Sequence, residues 1–258
     1  MPYLIDTHCH LTDLSDEEVS QVIARAAAAG IEKLICIGAS KLDTSAPRAV
    51  QLSERFPTIW CSVGIHPHDA GAFARVPQQV KELATHRRVV AIGETGLDFF
   101  RDWAPVANQE SLFRDSIQLA LLVKKPLIIH CREALEETIK ILQEEQAAQV
   151  GGVFHCYSGD AAFAARLQAI NFLVSFPGNL TFKKAEGIRA AAKDIPLTQI
   201  MLETDSPYMA PEPFRGGPSG SRPFREIALK PAGGKGITPG EAANTTTNNA
   251  RLLFKLAG

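Results

Sequence analysis

The sequence predicts an α/β fold, a single-domain (β/α)8 barrel of the TIM type that spans residues 1–258. Short runs rich in β-forming residues alternate with longer segments of helical periodicity, which is the pattern of repeated βα units with a parallel sheet. The length of 258 residues fits, because such barrels typically need about 250. Histidines and carboxylates also recur where the predicted strands end, at the end that forms the active mouth of these barrels.

The predicted strands and helices alternate along the chain. Strands are predicted at residues 3–10, 33–38, 59–66, 89–96, 126–132, 152–158, 172–177 and 200–207. Helices are predicted at residues 17–29, 46–55, 78–86, 109–123, 134–146 and 161–169. A last helix at residues 243–256 is expected to pack across the bottom or side of the barrel. A stretch rich in Pro and Gly, residues 211–223, is predicted to form a long loop at the active mouth.

A doubly wound open sheet is the alternative arrangement of the same elements. Its nucleotide-binding form carries a Gly-x-Gly-x-x-Gly turn after the first strand. Here His8, Cys9 and His10 occupy that place. The closed barrel is therefore the preferred prediction.

Charge and cysteine content narrow the class of protein. The chain has 27 basic and 28 acidic residues, so no overall positive field is available to hold nucleic acid. A polyanionic substrate would have to be bound locally, and bound metal ions can supply the positive charge. The five cysteines fall inside predicted strands, which favours reduced thiols over disulfides, with Cys36 and Cys61 as small buried residues.

The sequence also predicts where the protein resides. No apolar run approaches the roughly 20 residues that span a bilayer. The first residues lack the apolar core of a secretory signal and enter strand-like sequence at once. We therefore expect a cytoplasmic protein without a membrane segment, as a monomer or weak oligomer.

Seven histidines and carboxylates lie at the ends of predicted strands: His8, His10, His66, Glu94, His130, His155 and Asp205. Because side chains alternate along a strand, His8 and His10 are predicted to face into the barrel while Cys9 faces the helices. Polar groups inside a barrel would be left unsatisfied unless a metal or ligand paired them. The pattern therefore predicts a metal centre at the active mouth.

The types of ligand indicate which ions could bind. Imidazoles and carboxylates together suit Zn, Mn, Fe or Co, and Mg where oxygen ligands dominate. The set exceeds the four-coordinate shell of one zinc, so two divalent ions bridged by a carboxylate are predicted. Glu94 on a central strand is the predicted bridge, and Asp205 is predicted to bind a metal and to orient or deprotonate the attacking water.

Six motifs resemble the TatD-type metal-dependent deoxyribonucleases of the metallo-dependent hydrolase superfamily. They are IDTHCH at residues 5–10, GIHPH at 64–68, GETGLD at 93–98, IIHCREA at 128–134, FHCYSG at 154–159 and LETDSPY at 202–208. The resemblance implies the following metal ligands: His8, His10, Glu94, His130, His155 and Asp205. It also implies that His66 contacts the scissile phosphate and is needed for activity.

The same resemblance implies an activity. It is that of a 3′-to-5′ exonuclease on DNA, with single-stranded ends favoured, RNA sometimes accepted and Mg commonly used. Residues 221–234 depart from the family pattern, because Pro231, Gly233 and Gly234 stand where a long helix is usual. This departure leaves substrate preference open and touches no predicted metal ligand.

Several residues near the predicted mouth carry weaker signals for substrate binding. Arg132 could clamp a phosphate bidentately or serve as a structural salt-bridge partner. Tyr157 is predicted to contact substrate. With Phe99, Phe100 and Trp103 it could stack on bases from loops at the mouth, and packing is the alternative role for all four aromatics.

Four further residues are predicted to lie outside the ligand set. Cys131 and Cys156 each follow a ligand histidine, so their side chains are expected to face away from the metals. His68 and His86 have no place at a predicted strand end, and His86 is interpreted as a surface residue at a helix end.

Two other classes of function remain open for this sequence. A small-molecule amidohydrolase or lactonase could use the same barrel, since the fold alone does not determine the reaction. Several such enzymes bridge their metals with a carboxylated lysine at the end of strand four, where this chain has Glu94. The nearest lysines, Lys124 and Lys125, precede strand five at the opposite mouth. A metal-binding regulatory protein is the third possibility, and an activity assay separates it from the enzymes.

Overall fold

The computed structural model describes residues 4–41, 44–209 and 233–256, and it shows a (β/α)8 barrel. Its eight strands are parallel and are hydrogen-bonded to one another in chain order. The strands are β1 Leu4–Cys9, β2 Ile31–Gly38, β3 Ile59–Val63, β4 Val89–Asp98, β5 Leu127–Arg132, β6 Gly152–Phe154, β7 Phe172–Phe176 and β8 Ile200–Leu202. The predicted barrel is therefore confirmed, and every observed strand overlaps a predicted one.

The barrel closes between its first and last strands. Cys9 and Ser206 form a parallel β-bridge, and the amide of His10 donates to the carbonyl of Ser206 at 2.7 Å. One residue earlier in the chain, the amide of Asp205 donates to the carbonyl of His8 at 2.9 Å. This seam brings the residues after β8 directly against the end of β1.

Helices cover the outside of the barrel. They are α1 Asp16–Ala28, α2 Ser45–Arg55, α3 Gln78–Leu83, α4 Val106–Val123, α5 Leu135–Glu144, α6 Ala161–Ala169, α7 Glu186–Asp194 and α8 Pro239–Phe254. The prediction missed α7 and began α8 four residues late. A capping box explains the early start of α8, since Thr238 and Glu241 each bond the other's backbone amide.

Buried side chains form two clusters on the two sides of the sheet. Leu34 and Cys36 of β2 join the outer cluster beneath the helices, whereas the alternating Ile35 and Ile37 join the inner one. Phe254 at the end of α8 belongs to the inner cluster and lies against the starts of the strands. The helix therefore closes the bottom of the barrel, as predicted, and leaves the opposite mouth open for chemistry.

The structure also bears on two other sequence predictions, whereas a third falls on residues that it does not describe. Cys36 and Cys61 are fully buried, and all five cysteines carry free thiols. None of the helices within the described ranges combines the length and apolar character needed to cross a membrane. The predicted loop at 211–223 and the unusual stretch up to residue 232 lie outside the described residues.

Candidate metal centre

The predicted ligands come together at the mouth formed by the carboxyl ends of the strands. His8 lies in β1 and His130 in β5, while His155 directly follows β6. The register between β1 and β2 is irregular between Asp6 and Cys9, which turns Cys9 to the outer cluster. His8 and His10 consequently approach one another inside the barrel, with 3.2 Å between their Nε2 atoms.

Glu94 occupies the middle of the site. It sits at a register irregularity of β4, between the pairs that Gly93 and Thr95 form with β5. The residue is 3% exposed, and ring nitrogens surround its carboxylate. Atom Oε1 lies 2.8 Å from His130 Nδ1, 2.8 Å from His155 Nε2 and 3.3 Å from His66 Nε2, while Oε2 lies 3.3 Å from His8 Nε2. Oε1 therefore faces three imidazoles and Oε2 faces a fourth, so the two carboxylate oxygens point to different histidines.

Asp205 completes the side of the site that β1 and β8 form. Its Oδ1 lies 3.3 Å from His10 Nε2 and 3.8 Å from His8 Nε2. The rings of His8 and His155 stack with centroids 3.9 Å apart, which joins this side to the residues around Glu94. The predicted ligands thus form one continuous cluster.

The donor atoms fit divalent cations. Nitrogen lone pairs and carboxylate oxygens converge in four sets of three, each within 4.8 Å: His66, His68 and His130; His8, His155 and Asp205; His8, His10 and Glu94; Glu94, His130 and His155. The Nε2 atoms of His8 and His10 lie 3.2 Å apart, so at most one of them can carry a proton, and the other keeps a lone pair that a cation could take up. The site therefore suits metals that accept mixed nitrogen and oxygen ligands.

Burial and neighbouring charges set the protonation of the cluster. Burial raises the pKa of Glu94, but the facing rings of His155 and His66 outweigh it and hold that pKa well below its ordinary range. Burial lowers the pKa of His66 to about 4, so this ring is neutral at pH 7. Burial also raises the pKa of Asp205, and the bond from His10 with the charge of His8 reverses the shift to below the ordinary value. Both carboxylates are therefore ionised at neutral pH.

Comparison with known proteins identifies the family. The family model described as "TatD related DNase" matches residues 5–255. The chain belongs to the TatD-related DNase family.

Relatives within and near this family cover almost the whole chain. The uncharacterised metal-dependent hydrolase YabD of Bacillus subtilis is 38% identical over 255 residues, covering 98% of this chain and 99% of YabD. The 3′-5′ ssDNA/RNA exonuclease TatD of Edwardsiella piscicida is 32% identical over 247 residues, covering 93% and 94%. The crystal structure of YJJV, a TatD homologue of Escherichia coli, is 26% identical with a TM-score of 0.86 and covers 98% of each chain.

Two residues outside the predicted ligand set, His68 and Asp98, also lie in the cluster. Asp98 Oδ2 lies 2.7 Å from His68 Nε2 and 3.0 Å from His130 Nε2. Asp98 ends β4 and shares a face with Glu94, since the two residues are an even number apart. That alternation within the GETGLD motif was the signal that could have found Asp98, whereas His68 lies in a 3-10 turn and follows no strand period.

Glu203 supports the cluster from behind. Its side chain is fully buried and accepts hydrogen bonds from the amide of Cys156 at 2.7 Å and from Ser175 Oγ at 2.6 Å. One Glu203 oxygen lies 3.6 Å from His155 Nδ1. Because the backbone amide and the hydroxyl occupy its oxygens, we assign Glu203 to positioning His155 rather than to contact with substrate.

The structure corrects the prediction for Tyr157. The side chain is 2% exposed, its ring packs edge-on against Phe176, and its hydroxyl donates to the carbonyl of Asp160 at 2.7 Å. The residue before it, Cys156, has a positive φ of 48°, and this turn directs Tyr157 into the core. Tyr157 therefore cannot reach a substrate, and the alternative packing role is the correct one.

The structure also shows where the weaker candidates Arg132, Cys131 and Cys156 lie. Arg132 is exposed at the end of β5, and its guanidinium lies 3.7 Å from the centroid of the Phe100 ring. Burial raises the pKa of Cys131 to about 11 and that of Cys156 to about 12, so both thiols stay protonated. Cys131 Sγ lies 3.3 Å from Thr138 Oγ1, on the side of α5. Arg132 remains available to a substrate, and among the described residues neither cysteine belongs to the groups that could hold a metal ion.

Proposed function

We propose that this protein is a divalent-metal-dependent phosphodiesterase that removes nucleotides from the 3′ ends of DNA, with RNA as a second substrate. The observation that carries the proposal is the position of Glu94, whose two oxygens face different histidines. Family membership and the exonuclease named among its relatives support the choice of nucleic acid.

Two divalent ions, Mg, Mn, Zn or Co, would be held by separate sets of residues that share one carboxylate. His8, His10 and Asp205 would bind one ion, and His130 and His155 the other, with Glu94 between them. Bound cations of this kind supply Lewis-acid stabilisation of phosphoryl oxygens and acidify the attacking water.

Asp205 and His66 have distinct tasks in this proposal. The Asp205 carboxylate lies at the edge of the cluster and is ionised, so it can accept the proton of the attacking water. The amide of His68 donates to His66 Nδ1 at 3.1 Å, which leaves the proton of the neutral ring on Nε2. We assign this Nε2–H, which lies 3.3 Å from Glu94 Oε1, as the donor to a phosphate oxygen of the bound substrate, and the exposed Arg132 guanidinium offers a second phosphate contact.

An assay of the metal-stripped protein tests the proposal. Mg, Mn, Zn or Co is added in turn with end-labelled single-stranded DNA, duplex DNA, RNA and a generic lactone. We expect metal-dependent release of mononucleotides from the 3′ end of DNA, fastest on single strands. Hydrolysis of the lactone without cleavage of any nucleic acid would instead identify a small-molecule hydrolase. Inactivity with every metal and substrate would contradict both enzymes and favour a regulatory metal-binding protein.

We also propose that the protein works in the cytoplasm as a monomer or weak oligomer. The five free thiols support a reducing compartment. Sedimentation equilibrium over a range of concentrations measures the assembly, and a stable oligomer at the lowest concentration would contradict it.

A further inference from the structure

A strip of alternating aromatic and cationic side chains lies beside the metal centre. It consists of Phe100, Arg101 and Trp103 in the loop after β4 and Arg132 at the end of β5. Trp103 is 62% exposed and Phe100 47%. The Arg101 guanidinium lies 5.1 Å from the Phe100 centroid and 5.3 Å from that of Trp103, and Arg132 lies 3.7 Å from Phe100. We call these four residues the stacking strip.

The stacking strip is anchored to the catalytic cluster. The Trp103 ring meets His68 edge-on with centroids 4.4 Å apart, and His68 meets His66 at 4.2 Å. The amides of Phe100 and Arg101 both donate to Asp98 Oδ1 at 3.0 Å. The His68 ring therefore lies between Trp103 and His66, the residue assigned to the scissile phosphate. The hydrogen bonds to Asp98 hold the loop in place.

The composition of the strip suits a nucleic acid strand. Unpaired bases stack on aromatic rings and on guanidinium planes, and guanidinium groups also pair with phosphates. Within the described part of the chain, no carboxylate forms an ion pair with Arg101 or Arg132. With a net charge of −1 on the whole chain, such a local pair of cations is the kind of contact a polyanion requires.

We propose that the stacking strip binds the unpaired bases of a single strand, with Trp103 under the base next to the scissile phosphate and Arg101 and Arg132 on the flanking phosphates. This inference rests on the proposed phosphodiesterase activity and deepens it, because it assigns the preference for unpaired ends to named residues. A duplex end must open before its base can reach Trp103.

Kinetics on strands that lack one base test the stacking directly. Trp103→Leu keeps an apolar side chain without an aromatic ring, Trp103→Phe restores a ring, and Leu122→Ala removes an exposed apolar side chain on α4 as a control. Each variant is assayed on oligonucleotides with an abasic site at one of the last three positions. We expect Trp103→Leu to raise KM about 5- to 100-fold with little change in kcat, and Trp103→Phe to recover most of the loss.

The effects on KM of removing the base and of replacing Trp103 by Leu should not be additive. At the position that stacks on Trp103, removing the base should harm the wild type as much as Trp103→Leu does, and the variant should lose nothing more. Additive losses at all three positions would overturn the proposal, as would equal KM values for Trp103→Leu and Leu122→Ala.

Fluorescence separates this proposal from the proposed activity. The chain has two tryptophans, so Trp60→Phe leaves Trp103 as the indole that reports. A single-stranded oligonucleotide with phosphorothioate linkages should quench its emission saturably, whereas the same strand in a duplex should not. Quenching in a protein that cuts no nucleic acid would refute the proposed activity but support binding of bases by the stacking strip. Cleavage of DNA without any quenching would refute the strip alone.

The salt dependence of binding tests the two arginines. Arg101→Gln and Arg132→Gln should each lower the slope of log affinity against log salt by about 1, because each arginine neutralises one phosphate. Arg25→Gln, which removes the same charge in the last turn of α1, should leave the slope unchanged. An unaltered slope in both strip variants would show that neither arginine contacts a phosphate of the bound strand.

Discussion

The two ends of the barrel differ in what their side chains do. At the mouth, carboxylates and imidazoles crowd around Glu94, with four potential metal-binding sets in a small volume. At the bottom, Phe254 and Leu256 close the inner apolar cluster. A groove of about 710 Å³ opens beside α8 there, and among the described residues that line it the charged ones are Lys124 and Lys255. This groove therefore lies away from the cluster around Glu94.

The difference shows how this barrel separates stability from activity. The apolar cluster and the helix that closes it stabilise the fold, whereas the ligands project from strand ends into the mouth. Substitutions at the mouth should therefore change chemistry and leave the fold intact, and substitutions at the bottom should do the reverse. Each prediction below tests that separation.

Asp205→Asn should have the largest effect. The amide cannot accept a proton from the attacking water, so turnover at saturating substrate should fall about 100- to 10,000-fold. DNA binding should weaken much less, because other residues hold the strand. Single-turnover cleavage of a labelled oligonucleotide and fluorescence anisotropy measure the two quantities, with metal content checked for each sample.

His66→Ala provides the contrast to Asp205→Asn. A donor to the phosphate should contribute to affinity as well as to rate, so this variant should lose both. Near-normal cleavage by Asp205→Asn with full metal would show that another residue activates the water, and Asp98, whose Oδ2 lies in the cluster, would be the next to test.

His130→Ala and His155→Ala should each lose bound metal and activity while the barrel stays folded. Both side chains contribute to the cluster around Glu94 and neither belongs to the apolar clusters. Elemental analysis gives the metal content and circular dichroism the fold. Unchanged metal content with full activity in either variant would exclude that histidine from the site.

Phe254→Ala should produce the opposite result at the bottom of the barrel. The ring is 3% exposed, and its loss should lower the free energy of unfolding by about 3–5 kcal/mol. Urea unfolding measures this, and metal content and KM should be unchanged. Leu252→Ala on the same helix is the control, since that side chain is 69% exposed and should cost less than about 0.5 kcal/mol. A loss of metal in Phe254→Ala would show that the two ends are coupled.

The sequence predicted the barrel because β-forming runs alternate with helical segments along the chain, and this alternation can be read directly from the order of residues. All six predicted metal ligands lie in one cluster, since the carboxyl ends of parallel strands meet at one mouth. Strand ends were less accurate. β4 continues to Asp98, whereas the prediction stopped it at Gly96 and so left Asp98 outside the cluster.

Side-chain direction after a strand end was beyond the sequence pattern. Tyr157 was expected at the mouth, but the left-handed turn at Cys156 sends it into the core. Likewise His68 reaches the cluster through the 3-10 turn that begins at Pro67, which follows no strand period. Periodicity applies within an element, and these residues lie in the turns that follow.

Asp98→Asn should have the smallest effect of the substitutions at the mouth, a loss of about 10- to 100-fold in metal affinity. Asp98 Oδ2 accepts from His130 Nε2, which places the ring proton there and leaves the Nδ1 lone pair toward Glu94. An asparagine can keep the bonds from the amides of Phe100 and Arg101 through its carbonyl. Its amide group would then face His130 as a donor and favour the wrong tautomer. Calorimetric titration of the metal-free protein measures affinity, and nitrogen chemical shifts of labelled histidine report the tautomer. His68→Ala is the matched variant, because it removes the other partner of Oδ2 and leaves the bond to His130. An equal loss in both variants, or an unchanged His130 tautomer in Asp98→Asn, would mean that Asp98 does not act on the metal through His130.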